Sequence, residues 1–246
     1  MFAAVTKAAA QENPVVAADT YYEAANITET QSRLKSIFNS AMGGTSSSSG
    51  AAGEQGSYSV NQVTGSFCYD YPIEIPRLTQ GPSLDLRLHY DSQHTNDFLG
   101  IGFSLTGLPR IQRDNRYPVN YDVTDHFMLD GQKLIPDGKE GYYRCEVDDH
   151  SYTYGGSFET DEWISQSLWT TYLKDGTVLT YGATENSKLL NEEGVAYAWG
   201  LSYIDDAKGN SVEIIYDDNL FPKEIRFIDA ENDECNEKVV FQYGSD

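Results

Sequence analysis

His89, Asp91 and His94 are close enough in sequence to suggest a metal cluster. His89 and Asp91 are two apart, so in a strand they share one face. The other reading, solvated side chains at a strand end and turn, is far commoner for such residues and is the one the sequence favours. Asp217-Asp218-Asn219 and Asp229-Glu231-Asp233-Glu234 offer oxygen ligands for calcium. They lack the ordered spacing and glycine of an EF-hand loop, and read as acidic loops. Ser104 lies in Gly102-Phe103-Ser104-Leu105-Thr106-Gly107, one residue too long for a G-x-S-x-G nucleophile elbow, and no helical pattern follows it. Gly100 and Gly102 make no dinucleotide fingerprint, for the same reason. The many carboxylates invite a glycosidase reading, but sequence cannot place two acids at the required separation. Cys68, Cys145 and Cys235 lie far apart, with no C-x-x-C pair, and their odd number leaves at least one thiol unpaired within the chain. Asn26-Ile27-Thr28 is a formal glycosylation sequon. The sequence therefore assigns no catalytic, cofactor-binding or metal-ligating residue, and no cofactor.

Those residues sit in a strongly acidic chain. Of 246 residues, 17 are Lys or Arg and 38 are Asp or Glu, a formal net charge of −21. Phosphate-backbone binding depends on Lys and Arg, so nucleic acid is excluded as a partner, and an anionic membrane surface is disfavoured. Nearly all the negative charge falls after residue 60. No run approaches the length of a membrane-spanning helix. The N-terminus MFAAVTKAAAQENPVV has no basic n-region and no compact apolar h-region, so export by a standard signal is not expected unless the chain is part of something longer.

The elements that must position these residues read mostly as strands. Eighteen tyrosines, 21 glycines and only three methionines suit many short strands joined by glycine turns. Tyr69, Tyr71, Ile73 and Ile75 alternate with Asp70, Pro72, Glu74 and Pro76, and Leu84, Leu86, Leu88 and Tyr90 alternate with Asp85, Arg87, His89 and Asp91. Each run has one apolar and one wet face. Glycines inside Leu99 to Phe103 suggest a bulge or a close backbone approach. Asp130-Gly131, Asp137-Gly138 and Asp175-Gly176 are hairpin signals. Ala198 to Ile204, Ser211 to Tyr216, Lys223 to Ile228 and Lys238 to Tyr243 read as four further strands. One helix is expected, over about 28–42, with Thr28 as N-cap and Leu34, Ile37, Phe38 and Met42 as its apolar stripe. Residues 43–57, rich in Gly and Ser, read as a disordered linker. The expected organisation is a weakly ordered segment over 1–57 and an all-β domain over 58–246. That domain consists of curved antiparallel sheets built of successive hairpins.

The stretch from Gly65 to Arg113 resembles the opening of the SpvB/TcB family, large shell-forming proteins related to Rhs/YD-repeat toxins. The resemblance rests on Gly65-Ser66-Phe67 with Tyr69, Pro72-Ile73 and Pro76, and on Pro82-Ser83-Leu84 with Leu86, Leu88 and Tyr90-Asp91-Ser92. It continues through Leu99-Gly100-Ile101-Gly102-Phe103-Ser104-Leu105, where Phe103 stands in place of the usual tryptophan, and Leu108, Ile111 and Arg113 complete it. Phe127 to Leu134 resembles the family's Asp-Gly hairpin, and Lys174 to Thr177 with Tyr181-Gly182 a second one. Trp199, Leu201, Ile204, Asp206, Gly209-Asn210, Ile214 and Tyr216-Asp217 resemble a YD-type unit. The resemblance implies a non-catalytic part of a β-shell that encloses a C-terminal toxic segment, with any catalysis, such as ADP-ribosyltransfer, in another domain. It implies as partners the downstream Rhs/YD shell, the toxin segment and a delivery component, and a secreted destination. The chain reads as an N-terminal segment of such a protein or a truncated relative. The alternative is an extracellular carbohydrate- or protein-binding β-domain.

Overall fold

The computed structural model describes residues 3–9, 56–73, 75, 81–97, 99–122, 124–139, 141–147, 152–155, 168–230 and 234–243. The expected helix, and nearly all of the Gly/Ser linker, lie outside them. Every regular element among them is a strand apart from one turn of 3₁₀ helix, Glu185–Ser187, so the chain is all-β as its patterning demands.

β1 (Ala3–Ala9) is followed in the described chain by β2 (Ser57–Val60), β3 (Phe67–Pro72) and β4 (Arg87–Asp91). A two-residue pair, β5 (Asn96–Asp97) with β6 (Gly100–Ile101), leads into β7 (Phe103–Thr106). β2, β3, β4 and β7 form a four-stranded antiparallel sheet in that order. The glycine-punctuated run is thus a break between strands, with Gly100 at φ 104° and Gly102 at φ 84°. A side chain on Gly102 would strike the Tyr90 ring at 2.6 Å.

A barrel comes next. β8 (Arg110–Arg113), β9 (Phe127–Leu129), β10 (Gln132–Pro136), β11 (Tyr142–Cys145), β12 (Tyr152–Tyr154), β13 (Trp169–Tyr172) and β14 (Val178–Tyr181) pair each with the next. β15 (Lys188–Leu190) and β14 pair with successive halves of the long β16 (Ala196–Asp205). The ring closes where β16 meets β8, with Ala198 opposite Gln112, Trp199 opposite Ile111 and Gly200 opposite Arg110. Eight strands enclose just enough space to be filled by side chains. Here Phe127, Tyr143, Trp169 and Trp199 fill it, with ring centroids 4.8 to 6.1 Å apart.

β16 then continues outward. β17 (Ser211–Tyr216), β18 (Pro222–Asp229) and β19 (Glu234–Tyr243) extend it as a ribbon of antiparallel hairpins, and β1 lies along the edge of β19. One face of the ribbon is apolar: Val212, Ile214, Tyr216, Ile225, Phe227, Val239 and Phe241 are buried and continue the barrel core. Ile73, Ile75 and Leu84, in the connection between β3 and β4, pack against that core. On the other face, Tyr203, Glu213, Arg226 and Lys238 stand in one cross-strand row. Arg226 donates to Glu224 at 2.6 Å and to Glu213 at 3.2 Å.

Three turns, the one before β16 and the first two of the ribbon, share a device. Asn191, Asp206 and Asp217 each accept backbone N–H groups from the residues two and four ahead, at 2.8 to 3.0 Å. The fourth residue of each turn takes a positive φ. Gly194 and Gly209 do so freely, whereas in the third turn it is Leu220, at φ 61°. Leu220 is partly buried against the core. A Cβ on Gly200 would lie 2.8 Å from its Cδ1, so the absence of a side chain there makes room for it.

Candidate functional site

The four-stranded sheet sorts its residues by parity. Register places Tyr69 opposite Tyr90, Tyr90 opposite Phe103, and Leu88 opposite Leu105. That face packs inward: Phe67, Tyr69, Leu99 and Phe103 are buried, and Tyr243 from the ribbon end closes over them. The outward face carries the polar positions: Ser57 and Ser59 on β2, Cys68 and Asp70 on β3, Arg87, His89 and Asp91 on β4, and Ser104 and Thr106 on β7.

Beside the row of Pro72, Arg87 and Thr106, two further rows cross that face. In one, Ser57, Asp70, His89 and Ser104 are successive neighbours; in the other, Ser59, Cys68 and Asp91 are. His89 Nδ1 lies 2.8 Å from Asp70 Oδ1, and the two side chains are 29% and 33% exposed. A carboxylate only accepts, so the proton of this bond sits on Nδ1 and Nε2 points away from it. One ligand atom from each of Cys68, His89 and Asp91 falls within 4.8 Å of the others, the one such grouping among the described residues.

The residues weighed in the sequence are therefore only partly brought together. His89 and Asp91 converge; His94, in the turn after β4, is not in the grouping. Ser104 stands opposite His89, but in mid-strand, followed by β8 and not by a helix, so the nucleophile elbow is absent. Among the described residues no hydrogen bond joins Ser104 to His89. The Asp217 carboxylate is occupied by its own turn. Asp229 and Glu234 face each other across the β18–β19 hairpin, whose tip lies outside the described residues. Cys68 has no cysteine or histidine near it in sequence to mark it as a ligand. Its parity with Asp70 on a strand with one wet face was the available signal.

A second polar constellation is internal. Arg113, on β8, is fully buried and ion-paired through Nη1 to the buried Asp125. Its Nε donates to the Ala196 carbonyl at 2.9 Å. Asp125 also accepts the backbone N–H groups of Asn120 and Tyr121, at 2.8 and 2.9 Å. The Arg113 guanidinium lies 5.2 to 5.8 Å from the ring centroids of Tyr121, Phe127 and Trp199. Burial pulls the Arg113 pKa down and the Asp125 hydrogen bond opposes it. Tyr121 adopts φ 60°, a costly conformation for a tyrosine, while placing both its N–H and its ring on this pair. Sealed from solvent, the pair has no reacting partner to meet.

A cleft of about 530 Å³ opens between residues 81–85 and the turns at Asp175 and Asp206, lined among others by Pro82, Leu84, Leu179, Ile204 and Lys208. Among the described residues no aromatic side chain lines it. Among the described residues no helix is long and apolar enough to cross a membrane.

A filled antiparallel barrel, prolonged by a hairpin ribbon and fronted by a small sheet, defines a β-scaffold domain. The chain belongs to the SpvB family: the sequence model of the Salmonella virulence plasmid 65kDa B protein matches residues 61–243. The N-terminal domain of the effector protein SpvB from Salmonella typhimurium strain LT2 is similar in structure at TM-score 0.50, with 15% identity, over 65% of this chain and 64% of that one. A TcdB2-TccC3-TEV crystal structure is similar at TM-score 0.59 and 18% identity, over 75% of this chain and 10% of that one. A Photorhabdus luminescens Tc holotoxin pore gives TM-score 0.59 and 18% identity, over 74% and 10%. This chain therefore spans about a tenth of the length of the Tc chains it matches. At such identities the likeness is one of fold. No curated protein matches this chain by sequence.

Proposed function

We propose that this chain is a non-catalytic wall segment of a secreted SpvB/TcB-like toxin, part of a β-shell that encloses or carries a C-terminal toxic segment. The observation that carries this reading is the ribbon. β16 to β19 leave a closed barrel as successive hairpins, one face apolar and packed, the other laced by ion pairs. A surface of that kind grows by adding strands at its edge, as β1 is added to β19 here and as repeat proteins do. Membership of the SpvB family and the likeness in fold to chains of Tc assemblies support it. The partners are then the remaining Rhs/YD-repeat shell and the toxin segment, in the same or a partner chain, with a delivery component. The destination is extracellular. Catalysis, ADP-ribosyltransfer included, falls to another domain.

Protease challenge of the assembled shell tests the proposal. With this chain in place, the toxic segment should be digested far more slowly than the same segment free in solution. Equal digestion rates would overturn the enclosing role.

One observation favours a second reading, the protein-binding half of the alternative. The cleft beside Pro82 and Ile204 is aliphatic with charged rims at Asp85, Asp175, Asp206 and Lys208. It suits a peptide better than a sugar, which stacks on aromatic rings.

A further inference from the structure

We propose that Cys68, His89 and Asp91 form a zinc-type metal site on the outer face of the four-stranded sheet. The donors are brought together by register. Cys68 stands directly opposite Asp91 across β3 and β4, and His89 is two residues before Asp91 on the same face. Their ligand atoms lie within 4.8 Å of one another. A tetrahedral ion with bonds of about 2.0 to 2.3 Å draws such atoms a little closer, a movement side-chain rotation supplies on a half-buried face.

Three further contacts prepare the donors. Asp70 accepts the Nδ1 proton of His89, which leaves Nε2 as the ligating nitrogen and holds the ring in place. This is the carboxylate–histidine arrangement that accompanies metal-bound imidazoles. Asp91 Oδ1 accepts the Gln93 backbone N–H at 2.8 Å, which orients the carboxylate and leaves its second oxygen for the metal. The Cys68 sulfur touches the Ser66 hydroxyl at 3.8 Å, a weak contact that a metal bond replaces.

The chemistry of the donors selects the ion. Thiolate and carboxylate together bring two negative charges, matching a divalent cation. Thiolate with imidazole favours zinc over calcium or magnesium, which take oxygen. The thiol sits in acidic surroundings. Reactive cysteines sit in electropositive surroundings, whereas this one is flanked by Asp70 and Asp91 in a chain of net charge −21. A dication supplies the missing positive charge. Three protein donors leave the fourth position to water or to a group from a partner. The bound ion would staple β3 to β4.

Cobalt reports the site directly. The full chain, kept reduced and freed of metal by chelator, is titrated with Co²⁺. Thiolate-to-cobalt charge transfer in the near ultraviolet and the visible bands of a four-coordinate ion are expected, bleached when Zn²⁺ is added. Cys68→Ser should abolish the charge-transfer band, while Cys145→Ser and Cys235→Ser retain it. Asp70→Asn, which touches no metal, should weaken binding by about 10- to 100-fold with the band shape kept. No band in the wild-type chain, or an unchanged band in Cys68→Ser, overturns the proposal. Alkylation of the unmodified chain, followed by mass spectrometry, needs no variant. Zinc should slow labelling of Cys68 by roughly tenfold or more and leave Cys235 unaffected, since metal-bound sulfur is withdrawn from reaction. Equal slowing at both thiols, or none, contradicts it.

Discussion

Two hydrogen-bonded side-chain pairs separate two regions of this molecule. In the barrel, Arg113 and Asp125 are sealed from water, and all but one of their polar atoms is spent on a neighbour. On the small sheet, His89 and Asp70 are about one-third exposed and face outward with Cys68 and Asp91. A buried charge must be paired and hydrogen-bonded to persist, so the barrel pair is locked into the fold. An exposed pair contributes little to stability and remains free to meet something else. Polar residues thus mean different things in the two regions: cohesion inside the barrel, and presentation on the sheet.

Changes to the barrel should cost most. Trp199 is fully buried, against Phe127, Trp169 and the Arg113 guanidinium. Trp199→Ala should destabilise the chain by about 3–5 kcal/mol, read from the shift of the urea midpoint. A loss below about 1 kcal/mol would mean that the barrel interior is not the close-packed body described.

The ribbon turns come next. Asp206 accepts the Lys208 and Asn210 N–H groups and the Asn210 amide, at 2.8 to 2.9 Å. Asp206→Ala should cost about 1–2 kcal/mol in the same measurement, since three donors lose a charged acceptor at the turn.

The smallest effect is spread over pH. Asp114 is held below the usual carboxylate range by the Arg116 hydrogen bond. Asp175 is held low by the Thr177 backbone. At Asp206 burial acts in the opposite sense, but the Asn210, Lys208 and Gly209 hydrogen bonds outweigh it. A carboxylate whose folded pKa is depressed stabilises the protein above its unfolded pKa, and that contribution disappears as pH falls through the folded value. The urea midpoint should therefore hold steady down to about pH 5 and decline below about pH 4. A midpoint that rises on acidification would show that relief of the net negative charge dominates instead.

The sequence made some of this legible. Asp130-Gly131 declared its hairpin because positive φ at both positions, 48° and 80°, calls for those residue types. Alternation located β17 to the residue. Parity alone put His89 and Asp91 on one wet face. Closure of the barrel was not legible, because it depends on Ala198 to Gly200 meeting Arg110 to Gln112, which are far apart in sequence. The Leu220 turn was hidden too: a leucine does not advertise positive φ, and only its burial against the core accounts for it. The meeting of Cys68 with Asp91 was not legible, because the connection between β3 and β4 is long and no hairpin rule fixes that register.

The contrast between the regions is tested most directly by two double-mutant cycles run side by side in urea, Arg113→Met with Asp125→Asn and His89→Ala with Asp70→Asn. Single changes in the barrel pair should each cost about 3–5 kcal/mol, with strong coupling between them. Those on the sheet should cost no more than about 1 kcal/mol, with weak coupling in metal-free buffer. Comparable losses from both pairs would contradict the division into a cohesive barrel and a presenting sheet.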